Sequence, residues 1–143
     1  MPDILHDFPI EAAPARVFAA LTTPAGLDQW WTLRSTGTPR LGAEYVLDFG
    51  PEYVWKARVS RCVPDAEFEL EVTDADPEWI GTKVGFELSA TPVGTEVRFR
   101  HAGWPRESEH FRVSSYCWAM YLRILRRHIE HGESVPYARR LDA

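Results

Sequence analysis

Apolar and polar residues alternate through the middle of the chain, and a helical stripe occupies its end. From Gly42, "AEYVLDFG" puts Tyr45, Leu47 and Phe49 on one side, and "EYVWKARVSRCV" does the same for Tyr53, Trp55, Ala57 and Val59. The second strand's other side takes Lys56, Arg58, Ser60 and Cys62. "EFELEVTD" then alternates Phe68, Leu70 and Val72 against Glu67, Glu69 and Glu71. In "IGTKVGFELSA" and "TEVRFRHAGW", Val84, Phe86 and Leu88 share a side with Val97, Phe99 and His101. Period-two patterning with one wet face predicts antiparallel sheet. A turn at Pro64-Asp65 sets Arg58 opposite Glu71, and "TPVG" places Pro92 and Gly94 at turn positions that let Glu87 meet Arg98 outside.

The two ends read differently. "ILHDFPIEA" predicts a first strand with His6, Phe8 and Ile10 on one face, and Pro9 confines it to an edge because proline donates no ladder hydrogen bond. "APARVFAALT" predicts a helix with Pro14 at its start; "TPAGLDQWW" predicts a second behind Thr23, interrupted or tightened by Gly26. The longest helix comes last, in "ESEHFRVSSYCWAMYLRILRRHIEHGE". Phe111, Ser115, Trp118, Leu122, Leu125 and Ile129 form its inward stripe, Tyr121 widens it, and Gly132 stops it.

One helix is too narrow to cover this much apolar sheet if the sheet is flat. A sheet curled around the helix solves the burial problem. The expected class is α+β: a helix-grip fold with a curved antiparallel sheet of six or seven strands around a long C-terminal helix, and two short helices after the first strand. The expectation is a single domain over residues 1–143. Such a grip leaves either an internal pocket or a fully packed sandwich, and the pattern alone is compatible with both.

Composition adds an excess of rings: six Trp, seven Phe and five Tyr, more than a minimal core needs. A net charge of -5 argues against nucleic-acid binding, which requires a concentrated cationic surface. No apolar run approaches a membrane span, and the N-terminus lacks the basic-then-apolar order of a secretory signal, so no membrane partner is expected and a cytoplasmic location is. Cys62 and Cys117 form no CxxC pair, and no His, Cys, Asp and Glu cluster has metal-ligand spacing, so neither metal nor cofactor is expected. Glu67, Glu69 and Glu71 read as a solvated acidic face open to a protein partner.

"FPIEAAPARVFAALTTPAGLDQWW", "LGAEYVLDFG" and the closing "YCWAMYLRILRRHIEHGESVPY" resemble the START-like, polyketide-cyclase superfamily (SRPBCC). The nearest branch is that of homologues of the activator of the 90-kDa heat-shock protein ATPase. The resemblance spans essentially the whole chain and implies the same helix-grip fold. It is far less specific for activity, because the superfamily includes lipid carriers, cyclases and hormone receptors. Chaperone activation within it belongs to two-domain proteins, so this single domain is not expected to stimulate the ATPase strongly.

The expected function is binding of a small apolar or amphipathic molecule between sheet and helix, as carrier or sensor. The alternatives are a small-molecule enzyme of cyclase or hydrolase type and a co-chaperone-like binding domain. The candidate pocket comprises Trp55, Phe86, His101, Phe111, Ser115, Trp118 and Tyr121, with Trp31 at the mouth and Trp30 against the local shell or the two exchanged. Aromatic walls would hold an apolar body, while His101, Ser115 and Tyr121 would orient one polar end. His101 has a competing reading as a core histidine satisfied by backbone, water or Tyr121.

Overall fold

A computed structural model describes residues Met1–Ala143. Strand β1 (Ile4–Ile10) is followed by helices α1 (Pro14–Thr22) and α2 (Pro24–Trp30), then β2 (Arg34–Thr36), β3 (Glu44–Asp48), β4 (Val54–Val63), β5 (Glu67–Asp74), β6 (Lys83–Thr91) and β7 (Gly94–Ala102). The long helix α3 (Glu109–His131) follows, and a 3₁₀ segment, Tyr137–Asp142, ends the chain. All seven strands form one curved antiparallel sheet in the order β1-β7-β6-β5-β4-β3-β2. Pro9 sits on the edge strand β1, where its missing N–H costs no ladder bond. The seventh strand is the three-residue β2, too short to show a period. No helix is long and apolar enough to cross a membrane.

Local chemistry accounts for the helix limits. Ser108 caps α3 by accepting the Phe111 N–H at 3.1 Å, and Gly132 closes it in the left-handed conformation at φ 68°. Thr23 caps α2 by accepting from Gly26 N at 3.0 Å. Gly26 does not interrupt this helix; its missing side chain lets α1 and α2 touch. A Cβ there would stand 2.7 Å from Ala20 Cα and 2.8 Å from the carbonyl oxygens of Ala19 and Ala20. Gly26→Ala is therefore expected to cost about 1–3 kcal/mol in urea denaturation, because backbone must move to admit a methyl group. Unchanged stability would show that the two helices can slide apart freely.

Pairing follows the expected alternation through β6 and β7, where Val84, Phe86 and Leu88 face His101, Phe99 and Val97. Arg58 also lies opposite Glu71, their side chains 3.6 Å apart. Glu87 pairs in register with Arg98, yet its carboxylate reaches Arg100 instead, at 3.5 Å. The larger departure is a β-bulge between Val59 and Arg61. Beyond it Cys62 lies opposite Phe68 and packs against the core, with its thiol donating to the Pro39 carbonyl at 3.3 Å, instead of facing solvent. Tyr53 lies before β4 rather than in it and is 56% exposed.

The acidic face also needs correction. Glu69 is buried, accepting from Arg100 at 2.8 Å and Ser60 at 2.8 Å. The Arg100 guanidinium lies across Gly85, where a Cβ would meet Cζ at 2.9 Å. Burial opposes ionisation of Glu69, but the bonds from Arg100 and Ser60 outweigh it and hold its pKa below the ordinary value. Glu67 and Glu71 are partly buried beside Arg61 and Arg58. Arginines thus neutralise this surface, and it is not an open acidic patch.

Candidate functional site

Residues at the end of β3 and the start of β4, the turn before β6 and the N-terminal half of α3 border a half-open cavity of about 430 Å³. Its walls contain a closed ring of aromatic side chains, each touching the next. Ring centroids are 5.6 Å apart for Trp31–Phe49, 5.1 Å for Phe49–Trp55 and 4.7 Å for Trp55–Trp79. Trp79–Trp118 at 6.0 Å and Trp118–Trp31 at 5.1 Å complete the circuit. Tyr121 and Tyr137 extend the apolar wall, and Tyr53, Val113, Asp76 and His110 border the outer part. Asp76 and His110 face each other there at 3.4 Å.

The adjacent tryptophans take different roles, although their rings stay stacked with centroids 5.8 Å apart. Trp30 is fully buried and donates its indole N–H to the Ala20 carbonyl at 3.0 Å, tying α2 to α1. Trp31, leaving the helix at its C-cap, turns into the cavity. It is a wall rather than a mouth residue, being only 3% exposed.

A chain of hydrogen bonds behind the wall joins the Trp118 ring to the backbone of Trp79. The Trp118 indole donates to His101 Nδ1 at 3.1 Å, which makes Nδ1 an acceptor and places the imidazole proton on Nε2. His101 Nε2 then donates to Thr82 Oγ1 at 2.7 Å, and Thr82 Oγ1 donates to the Trp79 carbonyl at 2.6 Å. Every polar atom in the chain is satisfied only with a neutral histidine. Burial, reinforced by the charge of His110, depresses the His101 pKa to about 3. His101 lies outside the cavity lining and is a core residue that positions the wall, satisfied by Thr82 and Trp118 rather than by Tyr121, backbone or water.

The remaining candidates divide. Trp31, Trp55, Trp118 and Tyr121 line the cavity. Phe86 does not; it is buried between Trp30 and Phe99. Phe111 packs edge-on against Trp104 at 5.3 Å, also outside the lining. Ser115 is replaced by Ser114, which is buried and lines the cavity. The phase of the stripe is set by Trp118, and steps of four residues back and forward from it reach Ser114 and Leu122.

The floor comes from the chain's last residues, which alternation did not mark. Tyr137 lines the cavity and donates to the Phe49 carbonyl at 3.0 Å. Arg140, only 5% exposed, anchors the segment through the carbonyls of Asp28, Thr32 and Val135 at 2.7, 3.1 and 3.2 Å. This segment follows the last periodic helix and carries no period of its own. Trp79, in the turn before β6, was likewise unassigned because it belongs to no periodic run. No group of three or more His, Cys, Asp or Glu side chains converges in the fold.

A curved antiparallel sheet gripping one long helix above an aromatic cavity defines a START-like, SRPBCC-type domain. The chain belongs to the family described as Activator of Hsp90 ATPase homolog 1-like protein, whose family model matches residues 11–130. The solution structure of the Aha1 dimer from Colwellia psychrerythraea is similar at 27% identity and TM-score 0.85, covering 94% of this chain and 100% of that one. The crystal structure of SSP2350 from Staphylococcus saprophyticus shares the fold at 15% identity and TM-score 0.80, over 94% of this chain and 96% of its own. CalU16 from Micromonospora echinospora does so at 22% identity and TM-score 0.75, over 98% and 81%. No curated protein matches the chain significantly. At this level, family and fold support a ligand- or partner-binding role.

Proposed function

We propose that the domain binds a small apolar or amphipathic molecule in the cavity between sheet and α3, as a carrier or sensor. The observation that carries this reading is the circuit of touching aromatic rings that lines a half-open cavity of about 430 Å³. That volume lies within the range of small-molecule sites, and an apolar wall with few polar groups is their usual composition. Tyr121 remains a polar handle, joined by Ser114 in place of His101 and Ser115. Burial, with Tyr137 and Cys117 adding to it, pushes the Tyr121 pKa up to about 12, so its hydroxyl stays protonated and can donate to an oxygen-bearing ligand.

A ligand screen by native mass spectrometry, followed by calorimetry, tests the reading. Cys117 supplies an internal reporter because it lines the cavity, whereas Cys62 packs against the core outside that lining. A bound ligand is expected to slow labelling of Cys117 by a thiol reagent about tenfold or more and to leave Cys62 unchanged. A screen without ligands, or ligands that leave Cys117 labelling unaltered, would overturn it. Ligand recovered unchanged supports carriage or sensing; product formation would instead favour a cyclase- or hydrolase-type enzyme.

The likeness to the Aha1 dimer favours a second reading, binding to a protein partner. The glutamates of β5 lend it little, since arginines neutralise them. Purified chaperone with ATP, assayed for complex formation and phosphate release, tests it directly; saturable stimulation would favour partner binding over the cavity.

A further inference from the structure

The cavity's electrostatics narrow the class of ligand, on the reading that the cavity is a ligand site. We infer that it selects an organic cation, a quaternary or protonated amine carried on an aromatic or other apolar body. The lining contains no lysine or arginine, Asp76 is its only carboxylate, and its one group able to carry full positive charge is His110, 3.4 Å from Asp76 and neutral when unprotonated. An anionic amphiphile would therefore surrender its hydration next to Asp76 without gaining a guanidinium or ammonium partner, which is costly. A neutral molecule gains the apolar burial and nothing more. A cation gains the same burial and, in addition, attraction to the negative faces of indole rings, for which Trp is the strongest partner.

The arrangement also orients that cation. Arg140 lies behind the Tyr137 ring, with Cζ 5.2 Å from its centroid, so the floor of the cavity already has a positive charge beneath it. Its influence reaches the wall, where it opposes the upward shift of both the Tyr121 and Tyr137 pKa values. A second cation is repelled from that end and drawn toward Asp76, beside Trp79 and Trp55. The apolar body then points inward, toward Trp31, Trp118 and Tyr121.

Three probes of nearly equal shape separate the possibilities: benzyltrimethylammonium, its neutral carbon isostere neopentylbenzene, and phenylmethanesulfonate. Titration is followed at pH 8 by the indole N–H resonances of the ¹⁵N-labelled full chain. The cation is expected to bind about tenfold more tightly than the neutral isostere, and the anion most weakly. Asp76→Asn keeps the side-chain oxygen that accepts the Glu78 N–H at 3.2 Å and removes only charge. It should weaken the cation about threefold or more and leave the neutral probe within about twofold. Trp55→Leu, which removes one ring from a half-buried position, should weaken the cation more than the neutral isostere. Equal affinity of cation and isostere, tighter binding of the anion, or a cation indifferent to Asp76→Asn would overturn this inference alone. No resonance shift with any probe would remove both it and the ligand-binding reading beneath it.

Discussion

Trp118→Ala is expected to destabilise the protein by about 4 kcal/mol, the largest effect of any single truncation in the cavity wall. Trp118 is 2% exposed and touches Trp31, Phe99 and Trp79 at centroid distances of 5.1, 4.6 and 6.0 Å. Truncation removes that packing, joins the vacated volume to the existing cavity and leaves His101 Nδ1 without its donor. A buried polar atom deprived of its partner adds about 1–3 kcal/mol by itself. Trp118→Phe separates the two contributions: most of the ring remains, but the indole N–H is lost. Urea denaturation should place this variant between wild type and alanine. A loss below about 1 kcal/mol for Trp118→Ala would mean that α3 collapses onto the sheet and refills the space. It would also mean that the cavity is not held open by the rings.

The sequence discloses residues whose direction is set by a regular period and hides those set by turns. Trp118 was legible because its position in a helical stripe fixes its face, and Trp55 because strand alternation does. Inward placement of His101 was legible for the same reason, but not what it would meet. Its partners are Thr82, in a strand-entry turn before it, and Trp118, on the helix that follows its strand, and no single period links the three. Trp79 and Tyr137 reach the cavity from non-repeating segments, where neither period two nor period 3.6 applies. The Ser114 and Ser115 discrepancy arises because both lie near the edge of the stripe, and only helix rotation chooses between them. At Glu69, alternation identified the outer face of the sheet but could not show Arg100 covering it across Gly85. The curved sheet and long helix were thus readable from patterning, whereas the complete cavity required tertiary contacts.

The same histidine gives a prediction in pH. Its pKa lies near 3 in the folded protein, against an ordinary value of 6.5 that the unfolded chain should show. Between those values the unfolded state binds the extra proton and the folded state does not. Stability from neutral His101 is therefore fully present above about pH 6.5, declines as pH falls, and stops declining below about pH 3. At ~1.4 kcal/mol per pH unit, the part lost between pH 6.5 and pH 5 is about 2 kcal/mol. That window lies above the main carboxylate titrations, so loss of the Glu69–Arg100 pair contributes little there. Protonation would also put an N–H on Nδ1, directly facing the Trp118 indole N–H at 3.1 Å, so the folded chain of bonds offers the proton no site. His101→Gln supplies the control, since its amide can accept from Trp118 and donate to Thr82 without titrating. Urea denaturation across this window should show the variant gaining about 2 kcal/mol on wild type as pH falls from 6.5 to 5, with the other histidines cancelling in the difference. Parallel profiles would show that His101 is protonated in the fold, and the ordered chain from Trp118 to the Trp79 carbonyl would have to be abandoned.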